Sequence, residues 1–200
     1  AVVVRTRCTT EYDGCMRVEL TLSPNNDGGD GKKALQSLHL DIPLRNEMAP
    51  LWHVVRTGIR GNPAGYAPRG QGAIWDSRKF RDGSLPGNFL PYIWLGAEER
   101  GLCWFADNEQ GWVLGDPKQD PCLTLHREGD VLRLRVHLVQ KPVRLAEERK
   151  IVFGLMASPG KPMPKNWRRV LFNARRPGFE SIGWSGSTYW GAAETMHETY

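Results

Sequence analysis

Cysteine is scarce in this chain of 200 residues, with four in all: Cys8, Cys15, Cys103 and Cys122. None forms a CxxC pair or joins a Cys/His cluster at zinc-ligand spacing, so no metal site is expected. Buried thiols are the expected state. In an exported chain one or two disulfides would be compatible with four cysteines, which permit three complete pairings. Long hydrophobic runs are also missing. No apolar stretch is long enough to cross a bilayer and no basic segment leads into an apolar one, so a soluble chain without membrane contact is expected. Concentrated charge is missing too. The net charge is +5, but the cations are scattered and cluster only in doublets such as Arg168-Arg169 and Arg175-Arg176. A solvated face therefore outweighs a nucleic-acid surface. Finally, no GxxxxGK[ST] or GxGxxG occurs, which removes the usual phosphate-binding loops and with them the expectation of a cofactor.

What the chain does have is glycine (22), proline (14) and tryptophan (8), with 40% hydrophobic and 24% charged residues. That balance excludes wholesale disorder, and the density of turn formers predicts many short strands and few helices. The length suits one main core with a short appendage.

Residues 2–10 are rich in β-branched side chains, Tyr12-Asp13-Gly14 interrupts them, and residues 15–22 resume with Val18, Leu20 and Leu22 alternating against Arg17, Glu19 and Thr21. This predicts a hairpin with one buried face. Residues 24–33 (PNNDGGDGKK) form a glycine and aspartate loop. It lacks the ligand order and closing glutamate of a calcium-binding EF-hand loop, so calcium is not expected there. Leu38, Leu40 and Ile42 alternate with Ser37, His39 and Asp41 in a third strand that Pro43 is expected to help end, with His39 on the polar face. Residues 52–57 suggest another strand. Residues 58–88 then show almost no periodicity and read as a long loop wrapping an edge or a domain interface.

The densest block spans residues 89–164. Residues 89–95 and 102–106 predict a hairpin with a polar tip at residues 96–101. Leu123 and Leu125 begin a further strand, which Glu128-Gly129-Asp130 turns. Leu132, Leu134, Val136 and Leu138 then alternate with Arg133, Arg135 and His137 in the clearest antiparallel strand of the chain. Residues 151–157 are nearly all apolar and predict a strand covered on both faces. The fold class expected is all-β, an antiparallel β-sandwich with a short irregular C-terminal extension. Its domain organisation reads as a sandwich over residues 1–157, a proline-rich and basic linker over residues 158–178, and a tail over residues 179–200.

Four phrases carry a resemblance: EYDGCMRVELTL, PYIWLGAEERGLCWFADNEQGW, REGDVLRLRVHLV and FGLMASPGKPMPKNWR, spread across residues 11–168. They resemble the N-terminal β-sandwich region of bacterial proteins related to family 123 of the glycoside hydrolases. The resemblance implies a β-N-acetylgalactosaminidase relative, secreted or periplasmic, in which the substrate's acetamido group is the nucleophile and an adjacent Asp-Glu pair lies in a downstream (β/α) barrel. The tail WSGSTYWG looks like the entry to that barrel. This chain has no Asp-Glu dipeptide, and the residues after the linker are far fewer than the roughly 250 of such a barrel. The expectation is a non-catalytic, accessory sandwich that lacks the catalytic domain, with no catalytic residue carried over. Asp107 and Glu109 can be nominated as a local carboxylate pair, but a solvated turn outweighs that reading.

Flat aromatic rings suit the apolar C–H faces of sugars. The carbohydrate-binding candidates are therefore Trp94, Trp104, Trp112, Trp184, Tyr189 and Trp190, with packing in the core or between domains as the stronger expectation for rings of this size. By parity Tyr92 and Trp94 share one face of their strand, Ile93 and Leu95 the other. Leu102, Trp104 and Ala106 also group together. The expected partners are a glycan or a missing catalytic domain. Alternatives are a free-standing carbohydrate-binding module, or an assembly domain that forms oligomers through its C-terminal tail.

Overall fold

Alternation of the kind seen at Leu132, Leu134, Val136 and Leu138 is a demand for a second layer, because a sheet with one apolar face must bury it. The structure, a computed structural model, supplies that layer. It describes residues 2–24, 34–55, 63–80, 89–160, 170–172 and 180–182. The chain divides into two compact units, Ala1–Lys161 and Pro162–Tyr200. The first is an all-β sandwich of two antiparallel sheets; among the described residues there is no α-helix.

The larger sheet has seven strands: β1 (Val2–Thr10), β2 (Cys15–Pro24), β4 (Leu51–Val54), β5 (Ala64–Tyr66), β7 (Tyr92–Ala97), β8 (Arg100–Phe105) and β11 (Arg149–Ser158), in the order β1-β2-β11-β8-β7-β4-β5. The smaller has four: β3 (Leu38–Arg45), β6 (Gly72–Asp76), β9 (Leu123–Glu128) and β10 (Val131–Val139), in the order β3-β10-β9-β6. The inner face of β10 is fully buried at Leu132, Leu134, Val136 and Leu138. Opposite it lie Val18 and Leu22 of β2, Ile151 and Phe153 of β11, Trp104 of β8, and Ile93 and Leu95 of β7, all in the same core. Trp52 of β4 meets Trp75 of β6 edge to face at 5.1 Å, tying the two sheets together.

Two hairpins follow the sequence reading closely. β1 and β2 turn at Gly14, whose φ of 85° is the left-handed backbone that glycine adopts without penalty. β9 and β10 turn in the same way at Gly129, with φ 56°.

Four expectations are corrected. The β7–β8 turn is tighter than residues 96–101, because pairing continues to Ala97↔Arg100 and leaves only Glu98-Glu99 as the loop. Pro43 does not end β3, which runs on to Arg45. β3 is an edge strand, and a proline there removes no ladder donor when its nitrogen faces away from the neighbour. The supposed loop of residues 58–88 contains β5 and β6, one at the edge of each sheet, so the segment passes from one layer to the other. Lastly, β11 is covered unevenly: Ile151 and Phe153 are in the core, and on the other side Gly154 is buried under Phe105 while Val152 and Met156 are half-buried.

Polar pins hold the loops to the layers. The Ser77 hydroxyl accepts the backbone N–H groups of Cys122 (2.9 Å) and Leu123 (3.2 Å), and the Cys122 sulfur accepts the Leu90 N–H at 3.1 Å. Arg127 points inward at the end of β9, 9% exposed, and donates to Asn46 Oδ1 (2.9 Å) and to the carbonyls of Pro68 (2.8 Å) and Gly70 (3.1 Å). A buried guanidinium needs such acceptors to offset its lost hydration.

In the second unit β12 (Val170–Phe172) pairs in parallel with β13 (Glu180–Ile182). β12 lies within the stretch expected to be a linker. The aspartate loop at residues 25–33 and the tail residues Trp184, Tyr189 and Trp190 lie outside the described residues.

Candidate functional site

The outward face of the seven-stranded sheet is where chemistry could be presented. Cross-strand register puts Trp94 opposite Cys103, Tyr92 opposite Phe105, and Gly96 opposite Gly101. On the next strand Cys103 faces Met156, and Phe105 faces Gly154. An outward sheet face is normally polar, but this one carries a row of aromatic, sulfur-bearing and glycine positions.

The glycines explain how the rings lie. A Cβ on Gly101 would come within 2.6 Å of Cε2, Nε1 and Cζ2 of Trp94, and one on Gly96 would also meet that ring. A Cβ on Gly154 would come within 2.6 Å of Cζ, Cε1 and Cε2 of Phe105. The near atoms are the Nε1–Cε2–Cζ2 edge of Trp94 above Gly101 and the Cζ end of Phe105 above Gly154, so each ring packs over backbone where only glycine leaves room. Trp94 Nε1 donates to Ser158 Oγ at 2.9 Å, which fixes its rotation. Both rings are half-buried.

The polar groups along this strip are neutral. Burial pushes the Tyr92 hydroxyl up to about 12, with Cys103 beside it adding to the effect. Burial likewise pushes the Cys103 thiol up to about 11. Cys122, in the core, is raised to about 11 by burial. Thiolate is the reactive form, so these two thiols are inert at neutral pH. All four cysteines are free; Cys103 and Cys122 are buried as expected, whereas Cys15 is half-buried and Cys8 exposed.

At its Phe105 end the strip opens into a groove of about 1130 Å³, bounded by the loops after β8 and before β11. Phe105, Gly154, Val152 and Leu145 give it an apolar floor and side. Its charges balance, with Glu11, Asp107, Glu147 and Glu148 against Arg17, Arg144, Arg149 and Lys150; Asn108 and Gln110 add two amides. Arg17 is paired with Glu19, and Arg149 reaches the Gly111 carbonyl at 3.3 Å.

The smaller sheet carries a different outward face. Asp41 accepts from Arg135 through both oxygens (2.7 and 2.8 Å), with Arg133 at 3.6 Å and His39 at 3.9 Å. The hydrogen bond from Arg135 holds the Asp41 carboxyl below the usual range. His137 Nε2 is 2.6 Å from Thr124 Oγ1. Burial, then Arg135 and His39, lower His137 to about 4. His39 is a surface residue, as its place on the polar face of β3 predicts.

Of the three ring candidates among the described residues, Trp94, Trp104 and Trp112, only Trp94 lies on an outward face. Trp104 is 0% exposed and Trp112 6%, their rings 5.9 Å apart, with Phe89 5.4 Å from Trp112 and Phe153 6.5 Å from Trp104. These are core rings with no face to offer a sugar. Asp107 is exposed, Asn108 donates to it, and the Glu109 carbonyl accepts from the Trp112 N–H, so the segment that carries both carboxylates is a turn. Sequence reading missed Phe105, Gly96, Gly101, Gly154 and Ser158. Among the described residues no cluster of histidine, cysteine and carboxylate groups could hold a metal ion. No known family, curated protein or solved structure matches the chain.

Proposed function

We propose that this chain is the non-catalytic, supporting β-sandwich of a carbohydrate-active protein of the glycoside hydrolase family 123 type. One observation carries the reading. Among the described residues, the phrases that resemble the family fall on scaffold segments of the sandwich: β2, the β7–β8 hairpin with its exit turn, β10 and β11; the end of the fourth phrase, residues 161–168, lies outside them. In this reading the chain contributes a rigid layer, and a barrel domain acting with it contributes the carboxylates. Glycosidic cleavage needs two suitably spaced groups, one of them to protonate the leaving oxygen, and the family's adjacent Asp-Glu pair does not occur in this sequence.

A second reading, a free-standing carbohydrate-binding module, is favoured by the flat Trp94 and Phe105 rings on the outward sheet face.

The supporting-domain reading is tested by incubating the purified chain with a nitrophenyl N-acetyl-β-galactosaminide. No nitrophenol release is expected. Release that disappears when one carboxylate is changed would overturn it.

A further inference from the structure

The outward face of the larger sheet contains a site that the sequence did not single out as a unit. Trp94 lies over Gly101, and Phe105 lies over Gly154. Gly101 pairs with Ser158 and Gly154 with Phe105, so the two covered glycines sit on adjacent strands four residues apart in register. At the rise of a β-strand that separation is about 14 Å. Between the rings lies the uncharged Cys103–Met156 pair, with Cys103 buried and the Met156 methyl beside Gly160. A single apolar track therefore runs along β8 and β11, from Trp94 through Met156 to Phe105, and continues into the groove floor.

We propose that this track binds an extended, neutral oligosaccharide, with one sugar stacked on Trp94, another on Phe105, and the chain end in the groove. Three features select that class. Each ring is half-buried and packs over a glycine, and the aromatic surface it retains matches the apolar C–H face of a pyranose and is poor for gripping a knob-like side chain. The groove's four acidic and four basic side chains cancel, which favours a neutral ligand over a polyanion. Planar amides and guanidinium groups at the groove rim supply hydrogen bonds suited to hydroxyls. The choice of a glycan over other neutral polymers rests on the carbohydrate reading above. The two separate cleanly: hydrolysis by the chain alone removes the supporting role and leaves the site, whereas absence of glycan binding removes the site and leaves the supporting role.

Calorimetric titration of the full chain tests it, using neutral β-linked oligosaccharides of N-acetylglucosamine, galactose and xylose from disaccharide to hexasaccharide, with heparin as the anionic probe. Affinity is expected to rise with chain length until both rings are spanned, and to fall about tenfold in Trp94→Ala and in Phe105→Ala. If an alanine variant does not fold, Trp94→Phe keeps a ring over the glycines and is expected to retain most of the affinity. In the unmodified chain, the hexasaccharide is expected to protect residues 101–105 and 152–158 from hydrogen exchange. The proposal is overturned by any of these results: no heat with a neutral probe at millimolar concentration, salt-sensitive binding of heparin alone, unchanged affinity in folded Trp94→Ala, or protection located elsewhere.

Discussion

His137 shows how a residue on a polar face can still govern stability. Its neighbours are Thr124 on β9, His39 and Asp41 on β3, and Arg135 on its own strand, with Asp120 adding a weak opposing attraction. The folded-state value of about 4 lies below the 6.5 of an ordinary histidine. The unfolded chain therefore binds the proton first as pH drops. Stability is complete above the unfolded value and declines as pH falls from 6.5 toward 4, the range between those two values. Allowing for the solvent that still reaches the ring, the loss is about 2 kcal/mol. Asp41, also depressed, adds a loss at lower pH, below the ordinary aspartate range. Urea unfolding between neutral pH and pH 4 should show this decline, and His137→Gln should flatten most of it. Equal pH slopes for the two proteins would contradict the assignment.

At the scale of elements, the sequence was most legible where alternation was long. Leu132, Leu134, Val136 and Leu138 repeat with period two over a whole strand, and the structure buries all four. β5 and β6 were illegible because each is short and sits at a sheet edge, where glycine and proline are tolerated and little apolar content is needed. The aromatic track was half legible. Parity placed Tyr92 and Trp94 on one face, but Phe105 and the glycines join it only through the register fixed by the two-residue turn at Glu98-Glu99. A loop of different length would have put other residues under Trp94. Gly154→Val probes this directly. The new side chain must displace the Phe105 ring, costing about 1–3 kcal/mol of overpacking, partly offset by valine's preference for strands. A lower urea midpoint together with weaker binding of the longer oligosaccharides is expected. A folded variant with unchanged oligosaccharide affinity would show that the seating of Phe105 is irrelevant to the site.

At the scale of the molecule, the sandwich divides its aromatic residues by role. Trp52, Trp75, Trp104 and Trp112 hold its interior, while Trp94 and Phe105 lie on its outward face. The density of tryptophan in the central block thus reflects two functions. One is the filling of a broad core by large rings, and the other is the paving of a flat exterior. The most direct measurement is an NMR titration of the indole N–H signals with a neutral β-linked hexasaccharide, the signals being assigned with single Trp→Phe variants. The account predicts a saturable shift of the Trp94 signal, with those of Trp104 and Trp112 unmoved. A Trp94 signal that stays in place at saturating sugar, or a shift confined to the core tryptophans, would contradict it.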